Sequence, residues 1–324
     1  MRFWACHLNY INPLLFPQPT VVKNKQMIRD INIKINNEKS IALIVCYFGK
    51  LPWYFNYFAH SCKYNPTIDF FIITDETIDI KSLPNNVKHI YKTLNDINLL
   101  ATEKLGFEIN LTYAYPYKVA EFKPAYGLIF SELLAGYDFW GHIDIDVIFG
   151  NIRDFITDDL LENYDLISVR PDWIAGCFLL FKNILKMNTL FCHSKDYKKA
   201  FTMAGYINFD ETGYAHNAFK EGKTYLEINT GIESMMHVIQ KMEAQNYIKP
   251  FFDFFMIEGL SGKLRWENGR LFYRNRYEIL LYHLIYLKNV YIPKRKINYI
   301  PNSFTISPTK IYHHTKSKMA INEF

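Results

Sequence analysis

The sequence is poor in the residues that staple or stiffen unusual folds. Its five cysteines, Cys6, Cys46, Cys62, Cys177 and Cys192, are scattered and form no Cys-x-x-Cys pair. That excludes a disulfide framework and a zinc ribbon, and it fits a reducing, cytoplasmic compartment. Glycine and proline number only 14 and 13 in 324 residues, which excludes collagenous and linker-like chains. No run approaches the ~20 apolar residues needed to span a bilayer. The opening MRFWACHLNYINPLLFPQPT is interrupted by Asn9, Asn12, Pro13 and Pro17 and makes a poor signal peptide. Charge of one sign is also scarce: 37 basic against 32 acidic residues leave +5, with no concentrated stripe, so nucleic acid is not an expected partner.

What is present is a core. Hydrophobic residues make up 49% of the chain and aromatics 17%, enough to fold. Residues 1–38 lack periodicity and read as a leader outside the core. Residues 39–290 read as one α/β domain, and 291–324 as a basic, proline-punctuated tail leaving it. IALIVCYFG from Ile41 and DFFIITD ending at Asp75 have the continuous apolar character of strands buried on both faces, with a helix from Pro52 to Cys62 between them. Strand, helix and strand in this span imply a crossover and a parallel pair. VKHIY, Val87–Tyr91, is a short third strand, and Tyr117–Ala135 has helical spacing with a kink or a new start at Pro124. YDFWGHIDIDVIFGNI then reads as an apolar strand carrying two acids, followed by strands DLISVR and IAGCFLLFKN. Asn268-Gly269 marks a hairpin that runs into a short helix.

Asp144 and Asp146 are the most informative residues. Two apart on an extended chain, they face the same side, along with His142. Like charges this close raise each other's pKa unless a cation sits between them, and hard oxygen donors suit Mn²⁺ or Mg²⁺. The bland alternative is two turn acids, but their apolar neighbours make unpaired charge costly there.

YDFWGHIDIDVIFGNI, together with YKVAEFKPAYG and the opening strand IALIVCYFG, resembles the metal-dependent nucleotide-sugar glycosyltransferases of the GT-A fold. More narrowly, it resembles bacterial polysaccharide-biosynthesis glycosyltransferase-like proteins of the Asp-x-Asp type. The resemblance implies a three-layer α/β/α fold with a mainly parallel, mixed central sheet. It also implies a nucleotide-sugar donor, of uridine type, and a saccharide or lipid-linked acceptor. In that family the acid pair holds the ion bridging the donor phosphates. Carried over, Asp146 is the direct ligand, and Asp144 supports the ion and reaches the ribose. The loop Tyr47, Phe48 and Gly49 holds the nucleoside, with Asp75 at the base or ribose. Strand carboxyl ends are where open α/β sheets place ligands, which agrees with Asp75; a turn or capping role is its alternative.

The resemblance further implies a basic residue reaching the donor phosphates, for which Lys118 and Lys123 stand in place, although helix lysines commonly only solvate a face. It implies a third metal ligand near the end of the domain. His283 fits, with Lys288 as a phosphate neutraliser; a packed histidine in an apolar helix is the alternative. His142 is a candidate to orient the acids. An inverting transferase needs one carboxylate as base, for which Asp172, Asp210 and Glu211 are available, whereas a retaining one can dispense with it. Trp173, Trp266 and Tyr214 are candidates for stacking on a sugar ring.

Rival readings fit less well. A haloacid-dehalogenase-type phosphotransferase also uses Asp-x-Asp, but at the start of its domain and with Thr or Val where Ile148 stands. A P-loop at EGKT fails because Asn217 occupies the first glycine position. A carbohydrate-binding scaffold that lost its chemistry remains, and metal-dependent nucleoside diphosphate binding separates it from an enzyme. The tail, with IPKRKINYIP and TKIYHHTKSK, allows peripheral contact with an anionic membrane, but its few charges and lack of an amphipathic stripe favour an ordinary solvated tail.

Overall fold

The computed structural model describes residues 38–314, except 260, 261, 296 and 298. The expected leader, 1–38, lies almost wholly outside them. Among the described residues the central sheet has seven strands. Its first four, β1 (Ile41–Cys46), β2 (Ile68–Thr74), β3 (Val87–Tyr91) and β4 (Phe139–Ile143), are parallel in the order β3-β2-β1-β4. The sheet continues through β7 (Phe178–Lys182), β6 (Leu166–Ser168) and β8 (Pro250–Phe252), and β7 alone runs antiparallel to its neighbours. This is the mainly parallel, mixed sheet expected of a GT-A-like fold.

The reason for the continuous apolar runs is visible in β1. Ala42 and Ile44 join a core on one face, shared with Trp140, Phe122 and Phe181, whereas Ile41, Leu43 and Val45 join a second core with Phe58 and Phe149. Burial on both faces leaves no place for alternating polar residues. None of the described helices is long and apolar enough to cross a membrane.

Two short sheets complete the described fold. In one, β5 (Val147–Phe149), β13 (Leu281–His283) and β9 (Met256–Glu258) lie in the order β5-β13-β9. In the other, β10 (Leu264–Glu267), β11 (Arg270–Tyr273), β12 (Tyr277–Glu278), β14 (Ser303–Ile306) and β15 (Ile311–His313) form an antiparallel sheet. The hairpin turns as expected at Asn268 and Gly269, with φ of +48° and +86°.

Four expectations need correction. The chain after 290 does not leave the domain, because β14 pairs with β10 and Phe304 stacks on Trp266 with ring centroids 5.0 Å apart. Trp266 is fully buried, with its Nε1 donating to Phe149 O at 2.8 Å, so it is core and not a sugar platform. Tyr117–Ala135 is not one kinked α-helix, and of the two expectations at Pro124 the new start is the nearer. It is a 3-10 stretch, Pro116–Ala125, followed by a single α turn, Tyr126–Ile129, since Pro124 lacks the donor a continuous α-helix requires there. Finally, the apolar stretch around the two acids is two strands: β4 ends at Ile143, the chain turns over Asp144–Asp146, and β5 enters the small sheet with β13.

Candidate metal centre

That turn builds the site. At the carboxyl end of β4, Asp144 N–H donates to Cys177 O at 3.2 Å, continuing the β4–β7 pairing by one residue. Asp146 then leads into β5, whose partner β13 places His283 opposite Val147. His283 is therefore on a strand and not on a helix, and Leu284 N–H ties the two segments by donating to Asp146 O at 2.8 Å. One ligand atom each from Asp144, Asp146 and His283 lies within 4.8 Å of the others. Two carboxylate oxygens and an imidazole nitrogen suit Mn²⁺ well, and Mg²⁺, which prefers oxygen, less well.

Charge around the cluster keeps Asp146 ionised. Asp146 is buried, which by itself favours the neutral form. The hydrogen bond to His283 and the charge of Lys288, whose Nζ lies 2.6 Å from Asp146 Oδ2, outweigh this and hold its pKa well below the usual carboxylate range. His283 is also buried, yet the surrounding Cys177, Asp146 and Glu258 hold it well above the ordinary histidine value. Lys123 Nζ lies 2.6 Å from Asp144 Oδ1, 3.0 Å from Gly176 O and 3.7 Å from Asp210 Oδ2. Burial disfavours its charge, but Asp144 and Asp210 prevail and hold it protonated.

Other expected residues divide into those at the site and those held elsewhere. The loop after β1 is tied to the end of β2, because Gly49 N–H donates to Asp75 Oδ1 at 2.8 Å and Gly49 takes a φ of +94° that favours glycine. Asp75 and Tyr47–Phe48–Gly49 thus form one unit, although Phe48 is buried in the core. Burial, opposed by Lys288 and reinforced by Asp146, raises the Tyr47 pKa and marks its closeness to the cluster. Lys118 does not reach the cluster: its Nζ is pinned on Ala200 O at 2.6 Å. His142 faces into the protein and not along the acids, with Nδ1 3.1 Å from Gly176 O, because β4 ends before Asp144 and the shared face is lost.

The three proposed bases are each engaged. Asp172 takes a two-pronged contact from Arg170 at 3.0 and 3.1 Å. Glu211, with a pKa lowered to about 2, resists burial through His216, Asn208 and the Gly176 N–H. Asp210 accepts from Tyr206 at 2.7 Å, and burial pushes its pKa well above the usual range. Trp173 lies under Arg170, with the guanidinium 3.6 Å from the ring centroid, and Tyr214 is exposed with its hydroxyl on Tyr206 O.

Sequence reasoning missed Glu121, Arg170, Tyr206, His216 and Glu258. Glu121 is buried and accepts from the backbone N–H groups of Ile207 and Phe209, so it fixes the loop that carries Asp210 and Glu211. Its one signal was an acid within the otherwise amphipathic YKVAEFKP.

Gly176 is the hub of this wall. A Cβ there would stand 2.8 Å from Glu211 Oε1 and 3.2 Å from Asp210 Oδ2. Gly176→Ala is expected to displace both acids and to lower stability by about 1–3 kcal/mol, as overpacking does. Chemical denaturation checks this, and a midpoint equal to that of the unaltered protein contradicts it.

The chain belongs to a family of unknown function, DUF6625, whose model matches residues 43–315. No curated protein matches the sequence. Among solved structures it is similar to the galactosyltransferase LgtC, determined in complex with donor and acceptor sugar analogs, at 14% identity and a TM-score of 0.30, over 50% of this chain and 64% of LgtC. It is also similar to the apo form of the glycosyltransferase GlyE of Streptococcus pneumoniae TIGR4, at 12% identity and a TM-score of 0.31, over 68% of this chain and 46% of GlyE. At such identities and scores, the functional reading rests on the site's own geometry.

Proposed function

We propose that the protein is a metal-dependent glycosyltransferase that moves a sugar from a nucleoside diphosphate donor, of uridine type, to a saccharide or lipid-linked acceptor in surface polysaccharide synthesis. The observation that carries this reading is the convergence of Asp144, Asp146 and His283 within 4.8 Å at the carboxyl end of β4. Beside them stand an ammonium, Lys288, and a loop locked by Asp75. Asp146, Asp144 and His283 would hold Mn²⁺ or Mg²⁺, and such an ion supplies a Lewis acid that neutralises charge on a departing diphosphate. Lys288 would bring a second positive charge to those phosphates, and the Tyr47–Gly49 loop would take the nucleoside. Lys123 fixes the orientation of Asp144 through their 2.6 Å contact.

Since Asp172, Asp210 and Glu211 are each engaged in hydrogen bonds or ion pairs, none stands ready as a base, and the arrangement favours retention of configuration. The test is a panel of nucleoside diphosphates and their sugars, with and without Mn²⁺, read by thermal stabilisation and by donor hydrolysis. Selective stabilisation that vanishes with chelator supports the reading. Equal response with and without metal, or release of phosphate from simple esters, overturns it.

A further inference from the structure

His283 is held from behind. Across the parallel β9–β13 pairing its partner is Glu258, in direct register. Glu258 Oε2 lies 3.3 Å from Nδ1, while Nε2 faces Asp146 Oδ2 at 3.4 Å. The other Glu258 oxygen accepts from Arg170 Nη1 at 2.5 Å. Arg170 is fixed in turn by its fork onto Asp172 and by the Trp173 ring beneath it. The line Asp172, Arg170, Glu258, His283, Asp146 is thus continuous.

An ion that binds His283 displaces a proton from the ring, and the nitrogen that gives it up is decided by where the remaining proton is held. We infer that Glu258 is a positioning residue: it retains the proton on Nδ1 so that Nε2 is the nitrogen presented to the ion, and Arg170 fixes how Glu258 is presented. This rests on the metal reading of the site. Arginine only donates, so the atom of residue 258 that faces it must be an acceptor. A carboxylate satisfies this and still turns an acceptor toward Nδ1. In the Glu258→Gln variant Arg170 claims the amide oxygen and turns the NH₂ group onto Nδ1. The ring must then carry its proton on Nε2, which removes the lone pair from the metal side. Adding Arg170→Met frees the amide to turn over and return its oxygen to Nδ1, while the methionine side chain still covers Trp173.

The test is a Mn²⁺ titration of the full chain, reading free ion by electron paramagnetic resonance, with melting temperature recorded alongside. Glu258→Gln barely changes volume and should leave melting unaltered, yet it is expected to weaken Mn²⁺ binding about 10–100-fold, as loss of an orienting partner does. The Glu258→Gln, Arg170→Met double variant should recover most of that loss. Unchanged Mn²⁺ affinity in Glu258→Gln, or a double variant no better than the single one, overturns the inference. Affinity lost in Asp146→Asn but not in Glu258→Gln overturns it alone and leaves the metal site standing, whereas no binding by the unaltered chain brings both down.

Discussion

Asp146→Asn should abolish Mn²⁺-dependent stabilisation by a nucleoside diphosphate and reduce metal-dependent turnover to background, while the protein stays folded. The side chain keeps its size and one oxygen, but it no longer carries the charge that a divalent ion requires in a buried setting. Folding should survive because Lys288 is partly open to water, with 32% of its side chain exposed, so its ammonium can be solvated once the carboxylate is gone. In the unaltered protein a ligand at a hundred times its dissociation constant adds about 2.7 kcal/mol, which for a domain of this size raises the melting temperature by about 5 °C. The variant should show no such rise while melting near the unaltered, ligand-free value. A full rise in the variant would mean that Asp146 does not hold the ion, and the reading of the site would fall with it.

How much of this was legible in the sequence depends on how local each signal is. The β1–helix–β2 unit was readable because burial on both faces writes a continuous apolar run, and β3 matched Val87–Tyr91 residue for residue. The Asn268-Gly269 turn was readable because its positive φ angles select those residues. The acids Asp144 and Asp146 stood out because charge inside an apolar stretch is costly. Their geometry was not readable, since the chain leaves the central sheet between them to pair with β13, more than 130 residues later in the sequence. The same long-range pairing hid Glu258, which meets His283 only through the β9–β13 register. Beyond 290, Pro293, Pro301 and Pro308 and a scatter of lysines mask the alternation that buries Phe304, Ile306 and Ile311.

Lys123 shows the opposite failure, a residue whose composition suggests a solvated helix face but whose side chain is only 8% exposed. Lys123→Met should lower stability by about 3 kcal/mol, or roughly 6 °C in melting temperature. The figure sits at the low end for breaking a buried ion pair because Asp144 keeps 29% of its side chain open to water, which can replace part of the lost ammonium. Methionine fills the channel with a similar volume, so the effect comes from charge and not from a cavity. What it leaves behind is specific: Asp144 loses its 2.6 Å partner, Gly176 O loses a donor beside His142, and Asp210 loses the ammonium 3.7 Å from its Oδ2. Adding Asp144→Asn removes the stranded charge, so the double variant should be more stable than Lys123→Met by about 1 kcal/mol or more, the size of coupling expected between contacting residues. Melting the three variants beside the unaltered protein measures this cycle. Lys123→Met melting within about 1 °C of the unaltered protein would show that the lysine does not neutralise the acids here, because a buried pair broken without cost is no pair.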